Sequence, residues 1–428
     1  MVLRIGIAGL GTVGAGVAMI LRHKAELLAA RAGRAITLGA VSARDAKRDR
    51  GVDLSAVKWA VDPVALASDK DVDVVVELIG GADGAAYQLV KTALENGKHV
   101  VTANKALIAR HGPELAAIAE AKGVSLKCEA AVAGGIPVIK TLKEGLAANQ
   151  FTRVAGILNG TCNYILTAME KDGRDFSDVL KEAQALGYAE ADPGFDIDGV
   201  DAAHKLVILA AMAFSTRVEM AAVHIEGIRH ITATDIDYAA QLGMRIKLLG
   251  IAQLAEGGVE LRVHPCMVPL ESPIARVEGV INAVEMQCDA LGGLFLEGPG
   301  AGRGPTASAV VADIVDIAAG RGGTLYNVAA AKLQTLPQLP MLHHKGAYYI
   351  RLTVLDKPGV LAGISAIFRD DQISIASLIQ KTREPNKPVE IVITTHDTGE
   401  AAMMQALAEV QKLEQILETP RFIRIEAV

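Results

Sequence analysis

Residues 3 to 14 read "LRIGIAGLGTVG", and the order of residue types in this stretch decides how the first third of the chain folds. Leu3 to Ala8 is short, apolar and flanked by glycine, the pattern of a buried strand. Gly9, Gly11 and Gly14 follow at once, and "VGAGVAMILRHKAELLAA" then has the composition of a helix. A GxGxxG at a strand-to-helix turn gives each glycine a mechanical task. Gly9 permits the tight turn, Gly11 lets the backbone approach a pyrophosphate, and Gly14 lets helix and strand pack closely. The helix N-terminus adds free N–H groups for the phosphates. Gly9, Leu10, Gly11, Thr12, Val13 and Gly14 form the candidate dinucleotide loop.

Outward from this turn, strand-like and helix-like segments keep alternating. "AITLGAVSA", "DVDVVVELIG", "KHVVTAN" and "VSLKCEAAV" read as further strands, with "AAYQLVKTALENG" and "ELAAIAEAKG" as helices between them. That alternation predicts βαβ units and a doubly wound parallel sheet over residues 1–130. At the end of the second strand an acid would suit a ribose hydroxyl, but the chain reads Val41-Ser42-Ala43-Arg44, with Lys47 and Arg48 close behind. Small and basic residues suit a 2′-phosphate, so NADP is favoured and NAD is the alternative. Asp45 pulls the other way, and these cations could simply solvate a loop.

Residues 131–330 change character. Long helical segments ("CNYILTAMEKD", "FSDVLKEAQALG", "DAAHKLVILAAMAF") precede the strands "VELRVHPCMV", "EGVINAVEMQC" and "GGLFLEG", which predicts an α+β domain. The helix within 306–330 could return to the nucleotide domain. Residues 331–347 hold two prolines and no clear period, and read as a linker; 348–428 form a compact third module.

The 428 residues carry a net charge of -6 and 4% aromatics, a poor match to a nucleic-acid platform. No apolar run reaches the length of a spanning helix, and the four cysteines lack zinc spacing. A cytoplasmic protein with reduced thiols, touching neither membrane nor nucleic acid, is expected.

The densest polar stretch is "AEADPGFDIDGVDAAHK", residues 189–205, with acids at Glu190, Asp192, Asp196, Asp198 and Asp201. Aligning Gly199 with the glycine of an EF-hand puts Gly194 at the first ligand position and Lys205 at the last, so calcium binding fails at both ends. Asp198 is placed to cap the following helix. Asp201 and Lys205, four apart, share a helix face. That is either an ordinary ion pair or a partly desolvated lysine suited to proton donation.

Together, "GLGTVG", "TANKALIA", "NGTCNYIL", "LGYAEADPGFDIDGVDAAHK" and "GPGAGRGPTAS" resemble the homoserine dehydrogenase family in order and spacing over residues 1 to 330. The last 80 or so residues resemble an ACT domain, a βαββαβ amino-acid-sensing module. The resemblance implies NAD(P)H-dependent interconversion of L-aspartate 4-semialdehyde and L-homoserine. It implies Lys205 as proton donor and Lys105 as a second active-site lysine beside substrate and nicotinamide. Glu190 and Asp201 would hold the substrate's amino and hydroxyl ends, with Asp196 assisting and Gly187 and Tyr188 at the same pocket. Gly160 and Gly302 would lie beside the cofactor.

The stretch from Glu129 to Ile136 is similar to the family's Na⁺ loop, with carbonyls of Glu129, Val132, Gly134 and Ile136 as ligands; a plain turn before Pro137 is the alternative. In the C-terminal module, Asp356 and Gly359 would meet an amino-acid effector, threonine by resemblance, unless the module serves only assembly. A homodimer or homotetramer is expected, and removal of 348–428 should abolish threonine inhibition while sparing catalysis. The rivals are a dehydrogenase of another amino-acid semialdehyde and a non-catalytic ACT-containing sensor.

Overall fold

The computed structural model describes residues 2–382 and 384–427. Six strands, β1 (Leu3–Ala8), β2 (Ile36–Ser42), β3 (Lys58–Trp59), β4 (Val74–Glu77), β5 (His99–Thr102) and β6 (Leu126–Lys127), form one sheet in the order β3-β2-β1-β4-β5-β6. Every pairing in it is parallel. The order reverses between β1 and β4, which opens a crevice at the carboxyl ends of the strands, where such sheets bind ligands. The apolar run "VGAGVAMILRHKAELLAA" is two helices rather than one, Thr12–His23 and Ala25–Ala32, because the chain turns at Lys24. Helix Arg303–Ala318 comes back from far along the chain to pack on Thr12–His23. Its Ala307, Val310 and Ile314 share a core with Ile5, Ile7 and Val17. A side chain at Gly16 would press on Arg303 and Ala307, so the bare backbone sets how closely these helices approach.

The second sheet collects β7 (Phe151–Ile157), β8 (His224–Ile225), β9 (Met244–Ala255), β10 (Gly258–Pro269), β11 (Ile281–Cys288), β12 (Gly292–Pro299), β13 (Gln338–Leu339), β14 (Lys345–Leu355), β15 (Ile375–Ile379), β16 (Pro388–Thr395) and β18 (Arg421–Ile425). The short β17 (Thr398–Gly399) pairs with β14. Its main path runs β12-β11-β7-β9-β10-β18-β14-β16-β15. The last four strands, with helices Val360–Asp370 and Glu400–Val410, make the βαββαβ module.

That module is continuous with the preceding domain, because β10 and β18 pair in parallel through Cys266 with Arg424 and Met267 with Ile425. The segment 331–347 is likewise part of the packed structure: Gln338–Leu339 pairs with β10 between Pro337 and Pro340. Flanking prolines keep such a strand short and at an edge. β7 and β9 lack turn signals strong enough to stand out in the sequence, and their register with each other supplies what local pattern does not. The four cysteines are buried and unpaired. Among the described residues no helix is long and apolar enough to cross a membrane.

Candidate active site

The glycine turn does what its spacing predicts. Gly9 takes φ +97°, and a Cβ there would strike the Leu78 carbonyl; one at Gly14 would strike the Gly9 carbonyl oxygen. Gly11 faces open space. No side chain caps helix Thr12–His23, so its first N–H groups are free for an anion. A cleft of about 720 Å³ opens here, lined by Gly9, Leu10, Gly11, Leu78 and Ile79 on one side and by Arg44, Arg48 and Arg50 on the other. Arg50 is tied down, donating to the carbonyl oxygens of Leu10 (3.2 Å) and Arg48 (2.6 Å). These donors fit the phosphates of a dinucleotide.

Glu77, fully buried at the end of β4, shapes the next part of the crevice. Its carboxylate accepts from the N–H groups of Ile79 (2.7 Å) and Gly80 (3.0 Å) and from the Thr102 hydroxyl (2.6 Å). Asn104 then caps helix Lys105–Lys122 by accepting from Leu107 N–H, and its amide donates to the Gly81 carbonyl at 2.7 Å. This network presents Lys105 at the first position of the helix.

The polar stretch of the second domain meets it there. The carboxylate of Asp201, 4% exposed, lies between two lysines: Lys105 Nζ is 2.7 Å from Oδ1, and Lys205 Nζ is 2.8 Å from Oδ2. Lys205 also donates to the Leu158 carbonyl at 2.6 Å. Burial pushes the Asp201 carboxyl upward, but the two ammonium groups outweigh it and hold it well below the usual carboxylate range. Asp196 has no such ion pair, and burial raises it above its ordinary value.

Asn159 joins the two acids, its Nδ2 donating to Asp196 Oδ1 and Asp201 Oδ2 at 2.8 Å each. Its Oδ1 caps helix Gly160–Asp172 by accepting from Cys162 N–H, which fixes the amide's orientation. These groups, with Gly160, Gly187, Tyr188 and Gly302, line a cavity of about 470 Å³.

Not every predicted residue arrives. Glu190 is exposed and lies outside the cavity lining. Asp198 does not cap the helix Val200–Ala213: the N-cap is Gly199 at φ +87°, and Asp198 turns away to a two-pronged pair with Arg229. Asp192 accepts from Gly194 N–H at 3.3 Å, closing its own turn. In the predicted cation loop, Ala133 and Gly134 take φ +54° and +55°, and a Cβ at Gly134 would strike the Gly300 carbonyl. The Glu129 carboxylate is spent on the N–H groups of Ile139 and Lys140, and burial together with Asp313 pushes it up to about 7.

Glu77, Asn104 and Asn159 were not singled out by sequence. Asn159, standing before Gly-Thr and an apolar helix, carries a capping signal that could have found it.

In the C-terminal module, Asp356 and Gly359 do meet, beside Gln380 and Leu361, in a pocket of about 360 Å³. One carboxylate oxygen of Asp356 is buried there without a partner.

A crevice built for a dinucleotide, ending on a cavity whose lysines can move a proton, defines a nicotinamide-dependent oxidoreductase. Family models match at residues 9–129 (homoserine dehydrogenase, NAD binding domain), 137–315 (homoserine dehydrogenase) and 348–415 (ACT domain). The chain is 47% identical to homoserine dehydrogenases of Neisseria gonorrhoeae and Pseudomonas aeruginosa, each over 99% of this chain and 98% of the relative. The crystal structure of a homoserine dehydrogenase from Thiobacillus denitrificans superposes with a TM-score of 0.95 at 46% identity, covering 100% of this chain and 99% of that one. The chain belongs to the homoserine dehydrogenase family. A hyperthermophilic archaeal member solved in complex with NADPH is 28% identical, with a TM-score of 0.65 over 76% of this chain and all of that one.

Proposed function

We propose that the cavity takes L-homoserine or L-aspartate 4-semialdehyde and that Lys205 exchanges the proton at the substrate's oxygen. The single observation that carries this reading is the Asp201 carboxylate shared by Lys105 and Lys205. It keeps two ammonium groups close together in a largely buried site, where each can stabilise charge developing on an oxygen. The bound nicotinamide supplies or accepts the hydride. Lys105 lies between cofactor crevice and cavity and orients the substrate toward the nicotinamide. Asp196, short of a cation, receives the substrate ammonium. Gly187 and Tyr188 close that end. Glu190 reaches the substrate only if its loop closes over the cavity.

The preferred cofactor in this reading is NADP, with Arg44 and Arg48 at the 2′-phosphate. Na⁺ is held by the carbonyls of Glu129, Val132, Gly134 and Ile136, whose turn at Ala133–Gly134 redirects the backbone. An amino-acid effector, threonine by family, places its ammonium on Asp356 and its carboxylate near Gly359. Truncation at residue 348 is a poor test of that role, since it would bare the edge of β10 and strip Arg262 of its partner Glu426. Asp356→Asn in the full chain should abolish threonine inhibition and leave uninhibited turnover unchanged.

The deciding assay is L-homoserine-dependent reduction of NADP⁺ by wild type and Lys205→Ala side by side. General acid–base catalysis contributes about 10²–10⁴-fold, so the variant should lose that much kcat. Equal rates in the two proteins would end the assignment of Lys205.

A further inference from the structure

Asn282, the second residue of β11, lies on the active-site cavity, is 1% exposed, and has neither end of its side-chain amide hydrogen-bonded. Buried amides are almost always paired, because an unmade hydrogen bond in a dry site costs the full desolvation of the group. The residue is also firmly placed. In the segment just before it, the Asn163 amide donates to the carbonyls of Val277 and Ile281, and Lys247, itself 1% exposed, donates to Val277 at 2.6 Å. On the other side Asn282 pairs with Gly298 of β12, and its amide rests on Gly300, where a Cβ would collide with it.

The cavity has two unlike walls. One carries Lys105, Asp196, Asp201 and Lys205; the other is Val280, Asn282, Pro299, Gly300, Ala301 and Gly302, without a charge. A zwitterionic substrate is complementary to the charged wall. A neutral group offering one donor and one acceptor is complementary to a free amide on the uncharged wall, where an ammonium or carboxylate would be left without a counter-charge. The uncharged wall leads through Gly302 into helix Arg303–Ala318, which packs on the helix of the glycine turn, so it lies on the cofactor's side.

We infer that Asn282 recognises the carboxamide of the nicotinamide, donating to its carbonyl oxygen and accepting from its amino group, and so sets which ring face meets the substrate. The inference rests on the reading that the nicotinamide end of the dinucleotide enters this cavity.

Dissociation constants for NADP⁺ and NAD⁺, each in the nicotinamide and the 3-acetylpyridine form, test it by calorimetry on the full chain. The acetyl group keeps the acceptor and lacks the donor. Wild type should bind the better of the two carboxamide cofactors about tenfold more tightly than its acetylpyridine counterpart, the worth of one buried hydrogen bond. Asn282→Ala and Asn282→Ser should lose that preference.

Equal affinities in wild type overturn the inference without need of a variant. Variants that keep the preference and weaken only homoserine binding also overturn it, assigning the amide to the substrate. Failure of wild type to bind any of the four dinucleotides would strike the cofactor reading itself, and the inference with it.

Discussion

Lys105 and Asp201 meet across a domain boundary, Nζ to Oδ1 at 2.7 Å. Lys105 opens the helix after β5 of the nucleotide sheet, whereas Asp201 sits in the first turn of a helix of the second domain. The pair joins the two halves of the site, and in the proposed function hydride and proton both arrive beside it. Replacing Asp201 by Asn keeps the shape, removes the charge, and leaves Lys105 and Lys205 repelling each other. We expect Asp201→Asn to lower kcat/KM for L-homoserine by about 10²-fold or more, with little change in the dissociation constant for NADP⁺. An Asp201→Asn enzyme within a factor of two of wild type would remove the ion triad from the mechanism.

Asp196 supplies a pH signature. Its carboxyl lies above its ordinary value because burial disfavours the anion. An incoming ammonium favours the anion and lowers that value, so binding expels a proton wherever free Asp196 is partly protonated. Homoserine binding should therefore release protons in mildly acidic buffer and none at pH 8, as read by calorimetry in buffers of different ionisation enthalpy. Asp196→Asn should show no release at either pH, and should bind the amino acid more weakly.

In the proposed function the arginines that follow β2 select the cofactor. Arg44 and Arg48 line the dinucleotide cleft, while Arg50 is anchored to backbone carbonyls. Arg44→Ala with Arg48→Ala should raise KM for NADPH by about tenfold or more, since charge-assisted bonds to phosphate are worth more than neutral ones. KM for NADH should hardly move. A parallel rise for both cofactors would show that these side chains only shape the loop.

Arg424 ties the C-terminal module to the rest. It is 2% exposed and pairs with Glu400 of its own module and with Glu226 beside β8, at 3.0 Å to the latter. Gly227, next in the chain, lies against Ile197 and Asp198 of the acidic loop. Arg424→Met takes the cation from the buried Glu400, leaving it only the Tyr348 hydroxyl, and from the half-buried Glu226, which keeps His224. It should destabilise the protein by about 3 kcal/mol, measured as a shift in the urea midpoint. Glu400→Gln in that background should recover part of the loss.

Glu226 adds the pH dependence of the same contact. Burial raises its carboxyl, but His224 and Arg424 outweigh burial and hold it well below the usual range. Its contribution to stability is therefore complete above the unfolded value, about 4.3, and is lost as pH falls toward the folded one. Arg424→Met should flatten that acid slope.

Much of this was legible in the residues. The glycine turn, the alternation of strand and helix, and the Asp201–Lys205 spacing each rest on short-range rules, and the fold obeys all three. The break at Lys24, strands β7 and β9 and the pairing of Gln338–Leu339 were not legible, because long-range register decided them. Asp198 shows how this happens: a local rule made it a cap, but Arg229, thirty-one residues away, offers an ion pair and Gly199 takes the capping position.

Local chemistry in the sequence thus determined the nucleotide turn, the acidic loop and the lysine that follows it, because a tight turn or a helix face depends only on near neighbours. Tertiary structure alone decided that Asp201 answers to two lysines rather than one. It also decided that Asn159 bridges two acids, that the Asn282 amide is buried against Gly300 without a partner, and that the C-terminal ACT module shares a sheet with the domain before it. The bridging, the ion triad and the shared sheet depend on residues about forty to a hundred and sixty positions apart meeting where water is excluded, and only the packed chain brings them there.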